Sequence, residues 1–192
     1  MKKTAVRGTE DIRVRPAGEI GRRLADVTDQ WILPAPRANP AMLEMFRWRD
    51  RQPYADQVPW AGEFAGKYLT SAVQILRLTS DPGLREAIAA FVKRLVQLQA
   101  EDGYLGPWPL ASRLTGAAPN VMGQEGLTWD AWGHYHVMLG LLLWHEESGD
   151  RQALACARRM GDLICDKFLG AKTPRLVDTG STEMNLALIH SL

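Results

Sequence analysis

The sequence predicts an all-α fold of helical hairpins that stack side by side, as in an α/α toroid or solenoid. Two helical patterns are joined by the turn Thr79-Ser80-Asp81, and two more are joined by the turn Ser148-Gly149-Asp150. The second pair repeats the first at a spacing of 69 residues, from Asp81 to Asp150. Apolar residues recur in these segments at the three- and four-residue spacing of helices. No segment alternates cleanly with β-branched residues, and 175–177 is the best strand candidate. Repeated hairpins with little sign of a sheet favour a ring or solenoid.

Residues 1–59 are expected to form an irregular N-terminal arm. Prolines stand in this segment at positions 16, 34, 36, 40, 53 and 59. Each proline fixes φ and removes a backbone donor, although 18–31 could hold a short helix. We therefore expect the arm to wrap the core, and residues 60–192 to form a partial α/α barrel.

Four helices are predicted after the arm, with a fifth beginning at Thr182. The first runs from Trp60 to the turn at 79–83, and the second carries an apolar stripe over 84–96. The third runs from Thr128 to Glu147 and is apolar all round in its middle, which is typical of an encircled inner helix. The fourth is amphipathic, which is typical of an outer helix. The Gly- and Pro-rich loop at 103–126 is long enough to be functional.

Composition excludes several classes of protein. The 192 residues carry 23 Lys and Arg against 22 Asp and Glu, and 46% are hydrophobic. This balance is that of a folded globular chain rather than a disordered one. No basic stripe is present for nucleic acid, so we expect no nucleic-acid partner. No segment is apolar enough for a membrane span, and no secretory signal is recognisable, so a cytoplasmic protein is expected.

The two cysteines predict neither a disulfide framework nor a metal site. Cys156 and Cys165 cannot complete a four-ligand zinc site alone, and on one helix they would point to opposite faces. We interpret both as small buried apolar residues. No metal and no cofactor is expected in this chain.

The densest group of chemically useful residues is 129–136, where the third helix begins. Asp130 and His134 are four residues apart, so the carboxylate could orient the imidazole, although His134 could equally make a core hydrogen bond. His134 and His136 are two apart on a helix and cannot chelate one ion. His136 would face the interior of the helix ring, as a site residue or as part of the core.

Aromatic residues flank the same region. Trp129 and Trp132 lie three residues apart, and Tyr104 and Trp108 precede them in the loop. Such rings are flat apolar platforms with a polar edge, suited to stacking on the C–H faces of sugars. The alternative interpretation is that they fill the core.

Three carboxylates are expected at helix ends that share one rim of the helix ring. Glu63 begins the first helix, Asp102 follows the second, and Glu183 begins the last. Paired carboxylates around a bound sugar are the usual machinery of glycoside hydrolysis. Asp102-Gly103 is also ordinary turn chemistry, and Glu183 could serve only in a capped first turn. The residues alone assign no catalytic group.

Four segments in order resemble glycoside hydrolase family 127, the β-L-arabinofuranosidase family. They read WAGEFAGKYL at 60–69, QAEDGYLG at 99–106, WDAWGHYH at 129–136 and GSTEMNLA at 180–187. The resemblance covers 55–192 and implies an (α/α)6 barrel, of which this chain would be about half, with a cavity for a furanose. It also implies that His136 lines the sugar pocket.

The resemblance further implies a retaining mechanism that this chain does not complete. The family uses a cysteine nucleophile near a zinc ion held by further cysteines and a glutamate, with a glutamate acid/base, all later in the catalytic domain. Cys156 and Cys165 do not match that set, so this chain alone is expected to be inactive. The alternatives are a non-catalytic helical protein that binds carbohydrate or a partner and self-associates through an open edge, or another α/α-toroid sugar enzyme, an epimerase or lyase.

Overall fold

The computed structural model describes residues 14–169, which form seven α-helices and one two-stranded sheet. The helices are α1 (Gly18–Val27), α2 (Ala35–Ala38), α3 (Ala41–Arg47), α4 (Phe64–Thr79), α5 (Pro82–Val96), α6 (Asp130–Ser148) and α7 (Arg151–Phe168). The strands β1 (Ala117–Val121) and β2 (Gln124–Leu127) lie between α5 and α6. The predicted all-α class is confirmed. The helix expected from Thr182 and the strand candidate at 175–177 lie outside the described residues.

The two hairpins, α4 with α5 and α6 with α7, are joined by matching turns. Ser80 and Gly149 both adopt the left-handed conformation, with φ of 54° and 76°. Asp81 and Asp150 then cap the following helix, and their carboxylates accept first-turn N–H groups at 2.6 and 2.8 Å. The 69-residue repeat is therefore a repeat of structure, with the same turn chemistry at both positions.

Helices α4 and α6 run parallel and pack closely along their length. A Cβ added at Gly66 would lie less than 3.0 Å from backbone atoms of His136, and one at Gly140 would lie 3.0 Å from Leu69. The neighbours in order are Gly62 with Gly133, Gly66 with His136, and Leu69 with Gly140. Since the residue numbers rise together on both helices, the two are parallel, as inner helices of a toroid are.

Helix α6 is not buried on every side in the described part of the chain. Residues at helical spacing on one side are half-buried: Trp132, Tyr135, His136, Leu139, Leu142 and Leu143. The opposite side, including Val137 and Leu141, is fully buried against α4 and α7. The uniform apolarity of the segment therefore does not translate into uniform burial. Within residues 14–169, no helix combines the length and apolarity needed to cross a bilayer.

Residues 14–59 form a more ordered segment than the irregular arm that their prolines suggested. Met42, Leu43 and Phe46 of α3 are buried in the core. Pro34 and Pro40 occupy the cap positions of α2 and α3, where a helix needs no N–H donor. The prolines therefore begin helices here instead of preventing them, and the segment contributes to the core as well as wrapping it.

The loop between α5 and α6 contains a β-hairpin that the sequence did not predict. Met122 and Gly123 at its tip both have positive φ, 51° and 84°, as in tight hairpin turns. Gln57 adds a parallel bridge to Val121 on the other side of β1. Pro119 in β1 and the absence of β-branched alternation hid these strands from sequence patterns.

A buried hydrogen-bond cluster fastens this loop to the start of α6. The Asp130 carboxylate accepts hydrogen bonds from the Tyr104 hydroxyl at 2.9 and 3.0 Å and from the Leu114 N–H at 2.7 Å. The Tyr104 oxygen accepts the Trp108 N–H at 3.2 Å. Burial, and then the Asp130 charge, raise the pKa of Tyr104 well above its usual value, so the hydroxyl stays a donor.

Replacing Gly66 by alanine should destabilise the fold, because the added methyl group would collide with the α6 backbone at His136. We expect Gly66→Ala to lower the free energy of unfolding by about 1–3 kcal/mol, as overpacking does. Denaturant unfolding of the purified protein measures the change. The matched control is Gly83→Ala, because Gly83 is exposed in α5 and meets only the Asp81 side chain. Equal stability of the two variants would contradict the packing described.

Candidate functional site

Four side chains gather where α4 and α6 begin: Glu63, Lys67, Trp132 and His136. Glu63 ends a short 3-10 turn (Ala61–Glu63) that leads into α4, and it is 7% exposed. Its carboxylate accepts a hydrogen bond from the Trp132 indole Nε1 and pairs with the Lys67 ammonium at 2.7 Å. Because Trp132 belongs to α6, the carboxylate links the two parallel helices and its burial is compensated.

His136 is held in this group by ring contacts. Its ring centroid lies 4.5 Å from that of Trp132 in an edge-on arrangement and 4.9 Å from that of Tyr135. Burial, followed by the Lys67 charge, lowers the pKa of His136 to about 4, although Glu63 partly opposes this. The imidazole is therefore neutral near pH 7. Its Nε2 is buried and has no hydrogen-bond partner among the described residues.

Two exposed tryptophans lie just before these helices, Trp60 before α4 and Trp129 before α6. Trp60 and Trp129 are 36% and 43% exposed, and their ring centroids lie 5.6 Å apart at an interplanar angle of 51°. The backbone N–H of Trp129 donates to the Pro59 carbonyl at 2.8 Å, which joins the segments that carry the two rings. Exposed indole faces beside polar groups are suited to contact with the C–H faces of a sugar. Of the aromatic residues that the sequence predicted for a sugar surface, Trp129 is thus exposed beside Trp60.

Four of the sequence-predicted residues lie in the buried cluster instead. Tyr104, Trp108, Asp130 and His134 are at most 1% exposed. His134 Nδ1 lies 3.0 Å from the Asp130 carbonyl oxygen, and its Nε2 accepts the Leu105 N–H at 3.5 Å. In this arrangement the polar side-chain groups of Tyr104, Asp130 and His134 hold the loop against α6, and all four side chains are buried. For His134, the structure shows both predicted contacts: the core hydrogen bond, and the Asp130 carboxylate, whose Oδ1 lies 3.4 Å from Nδ1.

The other predicted carboxylates do not join Glu63. Asp102 accepts the Tyr104 N–H and an Arg113 N–H, each at 3.0 Å. Although partial burial raises the pKa of Asp102, these two donors lower it below the usual value. Asp102 is thus a turn residue held by an ion pair. Glu183 lies outside the described residues, so its place on the rim stays a prediction.

Sequence reasoning assigned no role to Lys67, although a signal was present. Lys67 follows Glu63 by four residues, the spacing at which opposite charges meet on a helix. Its ammonium also lies 5.8 Å from the Trp132 ring centroid, within cation–π reach. The contact between Glu63 and Trp132 could not be read in this way, because it depends on how two helices pack.

The described residues do not fit the zinc site that the family resemblance implies. Within 14–169, no three His, Cys, Asp or Glu side chains gather as metal ligands. Cys156 is 1% exposed, and burial raises the pKa of its thiol to about 12, so it stays protonated.

Comparison with known proteins identifies the family. The model of the β-L-arabinofuranosidase GH127 catalytic domain matches residues 20–191. A solved structure, Ara127N-Se, a GH127 β-L-arabinofuranosidase from Geobacillus stearothermophilus T6, superposes with a TM-score of 0.65 at 19% identity. The match covers 93% of this chain and 29% of that one, so this chain spans under a third of that protein. Because the identity is only 19%, the likeness shows the fold alone. No curated protein matches. Since the family model covers most of the sequence, the chain belongs to glycoside hydrolase family 127.

Proposed function

We propose that this chain is part of a β-L-arabinofuranosidase-like glycoside hydrolase, which cleaves terminal arabinofuranosides with retention, and that Glu63, Trp132 and His136 belong to its sugar pocket. Family membership supports the reaction class. The observation that carries the assignment of the pocket is His136, which is neutral, half-buried and unpaired at Nε2 beside a fixed carboxylate. A carbohydrate substrate follows from the same class.

The group offers the kinds of contact that a furanose ring needs. A neutral imidazole can donate one hydrogen bond and accept another, so it can serve a sugar hydroxyl group either as donor or as acceptor. The Glu63 carboxylate is held by Lys67 and by the Trp132 indole, and each oxygen keeps a lone pair for a sugar hydroxyl. Positioned groups of this kind fix a ring before reaction and lower the entropic cost of catalysis.

We assign these residues to binding and not to bond cleavage. A retaining glycosidase needs a nucleophile and an acid/base on either side of the scissile bond. Glu63 already accepts hydrogen bonds at both oxygens, which suits an acceptor of hydroxyl protons better than a proton donor. Cys156 is protonated and buried, so it is unsuited to nucleophilic attack. The proposed nucleophile and acid/base are therefore left to residues outside 14–169.

Self-association through an open edge stays a prediction, as does the cytoplasmic location. The half-buried apolar side of α6, with Leu139, Leu142 and Leu143, is the surface that would carry such an association. Half-buried apolar residues at helical spacing favour contact with another apolar surface. Size-exclusion chromatography with light scattering measures the oligomeric state.

Substituting the pocket carboxylate should weaken the proposed reaction. We expect Glu63→Gln to lower kcat/KM on an aryl β-L-arabinofuranoside by about 10- to 100-fold, because a hydrogen bond to a charged acceptor is lost. If the chain alone is inactive, calorimetric titration with methyl β-L-arabinofuranoside should show the same loss in affinity. The matched control, Glu86→Gln on the exposed side of α5, should behave as the wild type. An unchanged Glu63→Gln variant would count against the pocket.

The stability of the protein should fall with acid in a way that depends on His136. Its pKa is about 4 in the folded state, below an unfolded value near 6.5. The unfolded chain therefore binds this proton first, so the stabilising contribution is complete above about pH 6.5 and declines toward about pH 4. We expect the wild type to lose more unfolding free energy than His136→Gln between about pH 7 and 4.5. Parallel losses in the two proteins would contradict the lowered pKa.

A further inference from the structure

A cavity of about 300 Å³ shares no wall residue with the group of Glu63, Lys67, Trp132 and His136. It is formed by α3 with the residues after it, by 55–57, and by the loop that contains β1. Its walls include Glu44, Trp48, Arg49, Asp56, Pro107 and Asn120. The volume is at the lower end of small-molecule sites, which span roughly 300–1,000 Å³. The cavity is therefore suited to one small ligand.

Two wall residues carry buried polar atoms without partners among the described residues, Arg49 Nε and Asn120 Oδ1. The Arg49 side chain is 10% exposed, and its Nη1 donates to the carbonyls of Phe46 and Leu98 at 2.7 and 2.9 Å. Arg49 Nε forms an ion pair with Asp50 Oδ2 at 3.6 Å, which is beyond hydrogen-bond distance. One donor and one acceptor are thus unsatisfied in the same wall, and buried groups of this kind ordinarily have partners.

Trp48 gives the cavity an aromatic wall. The ring is 46% exposed, unlike the buried Trp108. The Arg51 guanidinium lies 5.2 Å from the ring centroid and so covers one part of it. A large indole left this open beside polar groups is the arrangement used for stacking on sugar rings.

The charges of the walls select a neutral ligand. Glu44 and Asp56 bring two carboxylates, which disfavour an anion. Each is only partly engaged: Asp56 accepts the Gly123 N–H at 2.7 Å, and Glu44 lies 3.5 Å from the Arg47 guanidinium. The buried guanidinium of Arg49 in the same cavity disfavours a cation. Hydroxyl groups are uncharged and can donate hydrogen bonds to both carboxylates.

We infer that this cavity is a second carbohydrate-binding site, which takes one neutral sugar ring stacked on Trp48. It shares no residue with the pocket around Glu63, so it is an accessory site and not a part of the proposed catalytic pocket. Only the choice of an arabinose probe rests on the proposed function.

Sugar titration of the purified protein tests the site. The probes are L-arabinose and methyl β-L-arabinofuranoside, with inorganic phosphate and tetramethylammonium as charged comparisons. Binding is read from the indole N–H signals in nitrogen–proton spectra, with the Trp48 signal assigned by its loss in Trp48→Phe. We expect a saturable shift of this signal with sugar and none with either ion.

Variants separate this site from the proposed catalytic pocket. Because these variants lack the Trp48 signal, their sugar affinity is measured by calorimetric titration: Trp48→Ala should weaken binding at the accessory site at least about tenfold, whereas Trp48→Phe should retain most of it. Trp31→Ala is the matched control, because Trp31 is 70% exposed and outside the cavity. Glu63→Gln should leave the sugar-induced shift of the Trp48 signal intact. The accessory site can therefore be confirmed even if the proposed pocket around Glu63 is wrong. An unmoved Trp48 signal in the wild type, or a shift caused only by phosphate or tetramethylammonium, would overturn the inference.

Discussion

The close parallel packing of α4 and α6 is the constraint on which the rest of the structure depends. Gly66 lets the backbone of α4 approach that of α6 at His136, and Gly62 meets Gly133 one turn earlier. Interiors are packed as tightly as organic crystals, so a side chain at either crossing point would push the helices apart. The repeated hairpin turns at Asp81 and Asp150 then place the outer helices α5 and α7 against this pair.

The same packing explains the chemistry at the helix starts. Glu63 directly precedes α4 and Trp132 belongs to α6, and only a short distance between the two helices allows their hydrogen bond. Lys67 supplies the countercharge that makes the burial of this carboxylate tolerable. Burial and the Lys67 charge together keep His136 neutral. The grouping of these side chains is therefore a consequence of helix packing as well as of the residues themselves.

The sequence predicted the periodic parts of the molecule and missed those that depend on tertiary contacts. The hairpins and their turns are local patterns, and they are found where they were expected. The burial of Tyr104 and His134 was not predictable, because an aromatic or a histidine near a loop has the same local pattern inside a core or in a pocket. The β-hairpin was missed since Pro119 is atypical of strands and its pairing to Gln57 is distant in sequence.

The central claim is that the packing of α4 on α6 places Glu63 in direct contact with Trp132, and a double-mutant cycle tests it most directly. Unfolding free energies would be measured for the wild type, Glu63→Gln, Trp132→Phe and the double variant. If the two side chains share a hydrogen bond, the loss in the double variant is smaller than the sum of the single losses by about 1 kcal/mol. Additive losses, within about 0.3 kcal/mol, would contradict the contact and the site built on it.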